Sequence, residues 1–370
     1  MKQHMETIGI GLVGYGMMGK VHTLAYRDIP FIYPHALPRL KLACVCTTNV
    51  QSAQSAAHDG GFEAWTTSLE ALLSREDVEV VDVCAPNFAH REIVLAALRA
   101  GKNVIVDKPL ACNASEAQEI AEATATAKGR VGMVFNYRFV PALMLAHKMI
   151  AEGTLGAIYH FDFDYLHSGY QNPNRPMSWR LRRAQAGGGA LVDLGSHLVD
   201  LARHLLGEFA ELNATTRTYV TERPASANSS QREPVDVDDA AWLEAKMQSG
   251  AQGTLFVTRF ATGAVDDINV QIYGERGALK FSLQDANVLS YFDAQAKAAT
   301  QGWTRIQTGT QYEGAAAPPP RSILGWNRTH TENHYQFLRS LTHDQPIAPD
   351  ATDGLRVQQI IDMAYQAAAL

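Results

Sequence analysis

The stretch Gly187-Gly188-Gly189-Ala190-Leu191-Val192-Asp193-Leu194-Gly195-Ser196-His197 places a carboxylate and an imidazole four positions apart behind three glycines. On a helix beginning near Leu191 or Val192, Asp193 and His197 share one face. Histidine titrates near neutrality and a neighbouring carboxylate orients its ring or binds a hydroxyl, so the pair suits proton abstraction from an alcohol. Taken alone it reads more readily as a solvated ion pair. Lys108 follows the apolar run Val104-Ile105-Val106 and precedes Pro109, which stops a strand and restricts Lys108 itself. An ammonium at a strand end suits hydrogen bonding to a reacting oxygen, although most lysines before proline are plain loop cations.

A second glycine group gives these residues a context. Gly14-Tyr15-Gly16-Met17-Met18-Gly19 is a GxGxxG that follows the apolar run Ile8–Val13 and opens a helical stretch. In that setting Gly14 makes a tight turn, Gly16 lets the backbone approach a pyrophosphate, and Gly19 lets helix pack on strand. The spacing therefore predicts dinucleotide binding. Choice of cofactor stays open: the next strand ends Cys46-Thr47-Thr48-Asn49, without an acid for a ribose 2′-hydroxyl or a nearby base for a 2′-phosphate, and the hydroxyls of Thr47 and Thr48 suit NAD or NADP.

The elements that must position these groups fall into two rhythms. Residues 8–13, 40–47, 78–85, 103–109 and 131–136 read as strands buried on both faces, separated by helical stretches at 17–29, 50–61, 89–101 and 114–129. Alternation of this kind predicts right-handed crossovers and a parallel sheet. From about residue 155 the pattern becomes half-exposed strands and hairpins, with 222–236 and 294–322 as excursions and Pro318–Pro320 as a stiff spacer; two helices, 327–343 and 353–369, close the chain. The expected class is α/β plus α+β: a Rossmann dinucleotide-binding domain over 1–138, and a substrate-binding and oligomerisation domain over 139–370 with a large, open, mostly antiparallel sheet. The last helix is expected to pack back on the first domain.

Bulk properties narrow the function. The chain has 370 residues, 46% of them hydrophobic, and a formal net charge of −6, which gives no electrostatic footprint for nucleic acid. No apolar window suggests a membrane span and the first residues carry no signal-peptide pattern, so a cytoplasmic location is expected. Cys44, Cys46, Cys84 and Cys112 show neither a disulfide framework nor zinc spacing.

Taken in order, these motifs resemble the Gfo/Idh/MocA family of oxidoreductases (glucose-fructose oxidoreductase and inositol dehydrogenase types). The resemblance rests on Gly14–Gly19; on Cys84-Ala85-Pro86-Asn87-Phe88-Ala89-His90, similar to the family's Thr-Pro-Asn-x-x-His; on Val106-Asp107-Lys108-Pro109, similar to its Glu-Lys-Pro; and on the 187–200 stretch. Residues 135–143 and 177–180 are similar too. Two departures are Asp107 in place of Glu and Cys84-Ala85 in place of the usual threonine region. The resemblance implies hydride transfer between nicotinamide and a secondary alcohol of a sugar, cyclitol or other polyol, with His197 as general base and Lys108 and Asp193 completing the catalytic group. It implies cofactor contacts at Gly14–Gly19, Thr47, Thr48, Pro86, Asn87, His90, Asp107, Lys108, Trp179 and Arg180. Substrate contacts are expected at Lys108, Tyr137, Arg138, His167, Trp179, Arg180, Asp193 and His197, with Tyr170 a weaker candidate. Asp200 and His204 are expected on the helix surface or beside the pair, and His330 and His334 at a surface or interface. Asp193, His197, Asp200 and His204 also read as a metal cluster, but this chemistry needs none and no metal is expected. A homodimer or homotetramer is expected. Two other readings remain, an NAD-dependent glycosidase using transient sugar oxidation and a non-catalytic NAD(P)-binding regulator.

Overall fold

The computed structural model describes residues 6–309, 312–319 and 322–369. Residues 1–5 and Pro320 of the expected spacer lie outside them. The described chain forms two compact units: 6–136 with 312–319 and 325–356, and 137–309 with 322–324 and 357–369.

The first unit alternates as its apolar runs require. In order come β1 (Thr7–Val13), α1 (Met17–Ile32), β2 (Arg39–Cys46), α2 (Val50–Gly60), β3 (Ala64–Thr66), α3 (Leu69–Leu73), β4 (Val80–Val83), α4 (Asn87–Arg99), β5 (Asn103–Asp107), α5 (Ala114–Thr126) and β6 (Val131–Val134). The strands form one parallel sheet in the order β3-β2-β1-β4-β5-β6. Neighbour order reverses at β1 and β4, so the crevice past their C-terminal ends is where such sheets take ligands. Two elements escape sequence reading because β3 and α3 are too short to show a period. Helix α1 runs past the expected end at Ile29, through Pro30, whose missing N–H falls in the last turn. Ile8, Ile10, Ile29, Val80, Ile105 and Val134 are buried in one cluster with Phe337 and Leu338 from the later helix Trp326–Thr342.

The second unit contains α6 (Pro141–Ala151), β7 (Ile158–Leu166), the short helices α7 (Arg183–Ala186) and α8 (Ala190–Asp193), then α9 (Gly195–Leu206). There follow β8 (Phe209–Arg217), β9 (Glu222–Pro224), β10 (Arg232–Pro234), β11 (Ala240–Met247), β12 (Gln252–Thr258), β13 (Asp267–Gly274), β14 (Gly277–Ser282), β15 (Val288–Asp293) and β16 (Trp303–Gln307). Helices α10 (Trp326–Thr342), in the first unit, and α11 (Ala351–Ala368) close the chain. The eight-stranded sheet runs β16-β15-β14-β13-β7-β12-β11-β8, antiparallel except where β7 meets β12. Alternation sets its faces: Phe161, Phe163 and Tyr165 of β7 and Ile268, Val270 and Ile272 of β13 are buried. Helix α9 packs on β7 and β12. The two expected excursions carry strands, the β9-β10 hairpin and the edge strand β16; the three-residue strands of the hairpin are too short to show a period, and β16 is mostly exposed.

Candidate active site

Each glycine of the first loop meets a different demand. Gly14 follows β1 at φ +92°, where its N–H donates to the Cys46 carbonyl at 2.9 Å and a Cβ would lie 2.7 Å from the Cys84 carbonyl oxygen. A Cβ on Gly19 would lie 2.3 Å from the Gly14 carbonyl oxygen, so this glycine lets α1 press on the turn. At Gly16 a Cβ would meet nothing within 4 Å. Open space beside Gly16, at a helix start with no side-chain cap and no acid in its first turn, fits a dinucleotide pyrophosphate. Tyr15 lies edge-on to Phe62, and Met17 is exposed. At the end of β2 the Thr47 hydroxyl bonds the Asn49 carbonyl and the Ser52 hydroxyl, and Thr48 is exposed.

Two further strand ends carry the next residues. Pro86 caps α4 and Asn87 starts it. Past β5, the N–H of half-buried Lys108 donates to Asp107 Oδ1 at 2.9 Å. His90 is 1% exposed, with Nδ1 2.8 Å from the Pro109 carbonyl oxygen and Nε2 2.8 Å from that of Ala85.

In the second unit, the helix expected to carry both Asp193 and His197 is broken at Leu194 into α8 and α9. The start of α8 is made by a distant carboxylate: Asp238 accepts from the N–H groups of Gly189 at 2.9 Å and Leu191 at 2.8 Å and from the Tyr365 hydroxyl, while its carbonyl accepts from Ala190. A Cβ on Gly189 would lie 1.8 Å from the Asp238 carbonyl oxygen, which explains that glycine. Asp193, a third exposed, pairs with the guanidinium of buried Arg259 at 2.9 Å. The His197 ring, 8% exposed, packs edge-on against Tyr137 at 4.8 Å and Tyr165 at 6.0 Å between centroids. The Tyr137 and Tyr165 hydroxyls lie 3.0 Å apart, and Tyr165 donates to Asp266. The second unit can thus present a carboxylate and an imidazole set in fixed surroundings.

The remaining candidates scatter. Arg138 is buried and clamps Asp200 through two hydrogen bonds, one of them 2.8 Å. Asp200, 1% exposed, is therefore not on the helix surface, and His204 stacks on His147 at 4.1 Å. Exposed Arg180 lies 4.3 Å over the half-buried Trp179 ring. His167 Nδ1 accepts from the Gly169 N–H at 3.3 Å, and Tyr170 lies under Arg175 and Arg259.

His330 and His334 are 2% and 0% exposed, which corrects the expectation of a surface or interface. In the first unit, Asp82 bonds His22 Nδ1 at 3.0 Å and faces His334 Nε2 at 3.4 Å. Burial alone pushes the His22 ring down, but the Asp82 carboxylate outweighs it and holds the pKa above its usual value. The same pairing overcomes burial to hold the Asp82 carboxyl well below the carboxylate range. With Cys84 these groups bring three metal-ligating atom types within 4.8 Å of one another, and their mutual hydrogen bonds account for the grouping. Sequence reasoning missed Asp238, Arg259, Tyr365 and Asp82. The one local hint was Asp238-Asp239 directly before the buried strand residues Ala240 and Ala241.

Comparison with known proteins agrees with this architecture. Residues 8–135 match the oxidoreductase family with an NAD-binding Rossmann fold, and residues 143–280 the GFO/IDH/MocA C-terminal domain. Levoglucosan dehydrogenase of Pseudarthrobacter phenanthrenivorans is 35% identical over 99% of this chain and 97% of its own. A solved levoglucosan dehydrogenase in complex with NADH and levoglucosan superposes with a TM-score of 0.94 at 33% identity, covering 98% of this chain and 97% of that one. An oxidoreductase domain protein from Kribbella flavida gives a TM-score of 0.94 at 36% identity, covering 99% of this chain and 98% of the other. The chain is an oxidoreductase and belongs to the Gfo/Idh/MocA family, whose members include NAD-dependent sugar and polyol dehydrogenases.

Proposed function

We propose that the protein is an NAD-dependent dehydrogenase acting on a secondary hydroxyl of a sugar or anhydrosugar of the levoglucosan type, with Lys108, Asp193 and His197 as its catalytic group. The observation that carries this reading is the end-to-end likeness to levoglucosan dehydrogenase. His197 takes the hydroxyl proton as the carbinol carbon gives up hydride. The Lys108 ammonium hydrogen-bonds the oxygen on which charge develops, and Asp193, fixed by Arg259, orients the ring or a neighbouring hydroxyl. Bound NAD supplies the hydride acceptor, its pyrophosphate held by Gly14–Gly19 and the first turn of α1. Positioned acid-base groups of this kind are worth about 10² to 10⁴ in rate.

The sheet of the second unit supports a homodimer or homotetramer. Tyr159 is 59% and Trp242 41% exposed, and Trp242 stacks on Phe256. Exposed apolar surface of this kind favours self-association, and a monodisperse monomer by light scattering at micromolar concentration would refute it.

The test is a spectrophotometric screen of levoglucosan, other anhydrosugars, free sugars and inositols with NAD and NADP side by side, using Lys108→Ala as the blank. Reduction of NAD that requires both a sugar-class alcohol and Lys108 is expected. Sugar cleavage without net cofactor reduction would replace this reading with the glycosidase, and cofactor binding without turnover of any polyol would replace it with the regulator.

A further inference from the structure

We infer that His90 is a positioning residue for Lys108: its ring braces the ends of two neighbouring strands so that the ammonium is held in place. This inference rests on the catalytic reading of Lys108 above. His90 lies in the first turn of α4, and its ring is buried between two carbonyl oxygens, Ala85 past β4 and Pro109 past β5, each 2.8 Å from a ring nitrogen. Strands β4 and β5 are parallel neighbours, paired up to Val83 and Val106. The ring therefore links one strand end that leads to Pro86 and Asn87 with another that carries Lys108.

The backbone around Lys108 is held on both sides. Its N–H donates to Asp107, and His90 Nδ1 lies 2.8 Å from the carbonyl oxygen of the next residue. A lysine side chain has four rotatable carbons, so its ammonium is only as well placed as the backbone that launches it. An error of about 1 Å in a reacting group costs on the order of 100-fold in rate. With both ring nitrogens turned to backbone carbonyls and 1% of the residue exposed, His90 acts behind the loops and not as a contact to cofactor. A neutral ring donates to one of the two carbonyls and packs against the other, and a protonated ring donates to both. Burial holds its pKa below the usual value while the carbonyls of Ala85 and Pro109 and the charge of Asp107 pull it up.

A double-mutant cycle on the full-length protein, assayed with levoglucosan and NAD, tests this. His90→Ala should lower kcat about 10- to 100-fold, while NADH affinity, read by fluorescence titration, changes by less than about threefold. In the Lys108→Ala background the same substitution should lower the residual rate by less than about twofold, because its effect passes through the lysine. His90→Gln, which keeps one donor, should fall between wild type and His90→Ala, and it replaces His90→Ala in the cycle if the alanine variant does not fold. The inference is overturned if the two losses multiply, if NADH affinity falls in step with kcat, or if His90→Ala turns over like wild type. If Lys108→Ala itself keeps full turnover, the catalytic reading of Lys108 fails and this role fails with it, whereas wild-type turnover by His90→Ala beside an inactive Lys108→Ala removes only the positioning role.

Discussion

The two glycine loops are built by opposite means. In the first, Gly14–Gly19, the constraints are backbone: a left-handed Gly14, a carbonyl that receives the Gly14 N–H, and a helix pressed on the turn at Gly19. Open space is left at Gly16. In the second, Gly187–Gly189, a buried carboxylate shapes the loop, and Asp238 reaches Gly189 across 49 residues of sequence while Tyr365 reaches it across 176. One loop leaves room beside Gly16, and in the other the Tyr365 hydroxyl and the Asp238 backbone occupy the space beside Gly188 and Gly189. The difference teaches that glycine runs can serve opposite ends: Gly16 is small so that something else can approach, Gly189 because its own fold already occupies the space.

That contrast can be broken by experiment. The largest effect should come from His197→Ala, with turnover falling about 10² to 10⁴-fold and the melting temperature little changed. Equal turnover at every pH would remove His197 from the catalytic group. Gly189→Ala and Gly16→Ala test the loops against each other. A methyl at 189 must displace the Asp238 backbone, and overpacking of this kind costs about 1–3 kcal/mol or more, so this variant should lose folding stability in urea. The methyl at 16 meets nothing in the fold, so Gly16→Ala should unfold like wild type and lose NADH affinity by about tenfold, or roughly 1.4 kcal/mol. The opposite assignment of the two losses would reverse the comparison.

A smaller effect is expected from Asp238→Asn, which keeps one acceptor but turns an amide toward one of the two capped N–H groups. Leaving that buried donor unmet costs about 1–3 kcal/mol, and kcat should fall with it because α8 carries Asp193. An unchanged urea midpoint would mean that the carboxylate does not shape the loop. The smallest effect concerns pH and the first unit. The His22 pKa is raised in the fold, so its contribution is fully present below its unfolded value of about 6.5 and is lost as pH rises through the folded value. His22→Gln should remove that alkaline decline while keeping a donor for Asp82. Urea midpoints at pH 6 and pH 9 check it, and an equal decline in both proteins would assign the slope to other groups.

Much of the first unit was legible because its strands are buried on both faces and its helices are amphipathic, so period alone placed ten of its elements near their bounds. The hairpin β9-β10 was not, because strands of three residues are too short to show a period, and neither was the mostly exposed edge strand β16. Asp193 and His197 were visible as a pair, yet the break at Leu194, where the His197 N–H turns to the Leu194 carbonyl at 3.1 Å, was not. His330 and His334 looked like surface residues because polar side chains on a helix normally are; here each is buried, and Asp82, which faces His334, lies on a strand about 250 residues earlier.

By itself, then, the sequence determined the alternating strands, the GxGxxG motif and the placing of Lys108 at a strand end, because these are read from residue types a few positions apart and from period. Only the tertiary structure decided what fixes them: His90 between two strand ends, Arg259 on Asp193, and Asp238 with Tyr365 under the glycine triplet. The physical reason is that a buried charge or unmet N–H must find a partner wherever the fold brings one, and sequence distance sets no limit on where that partner lies.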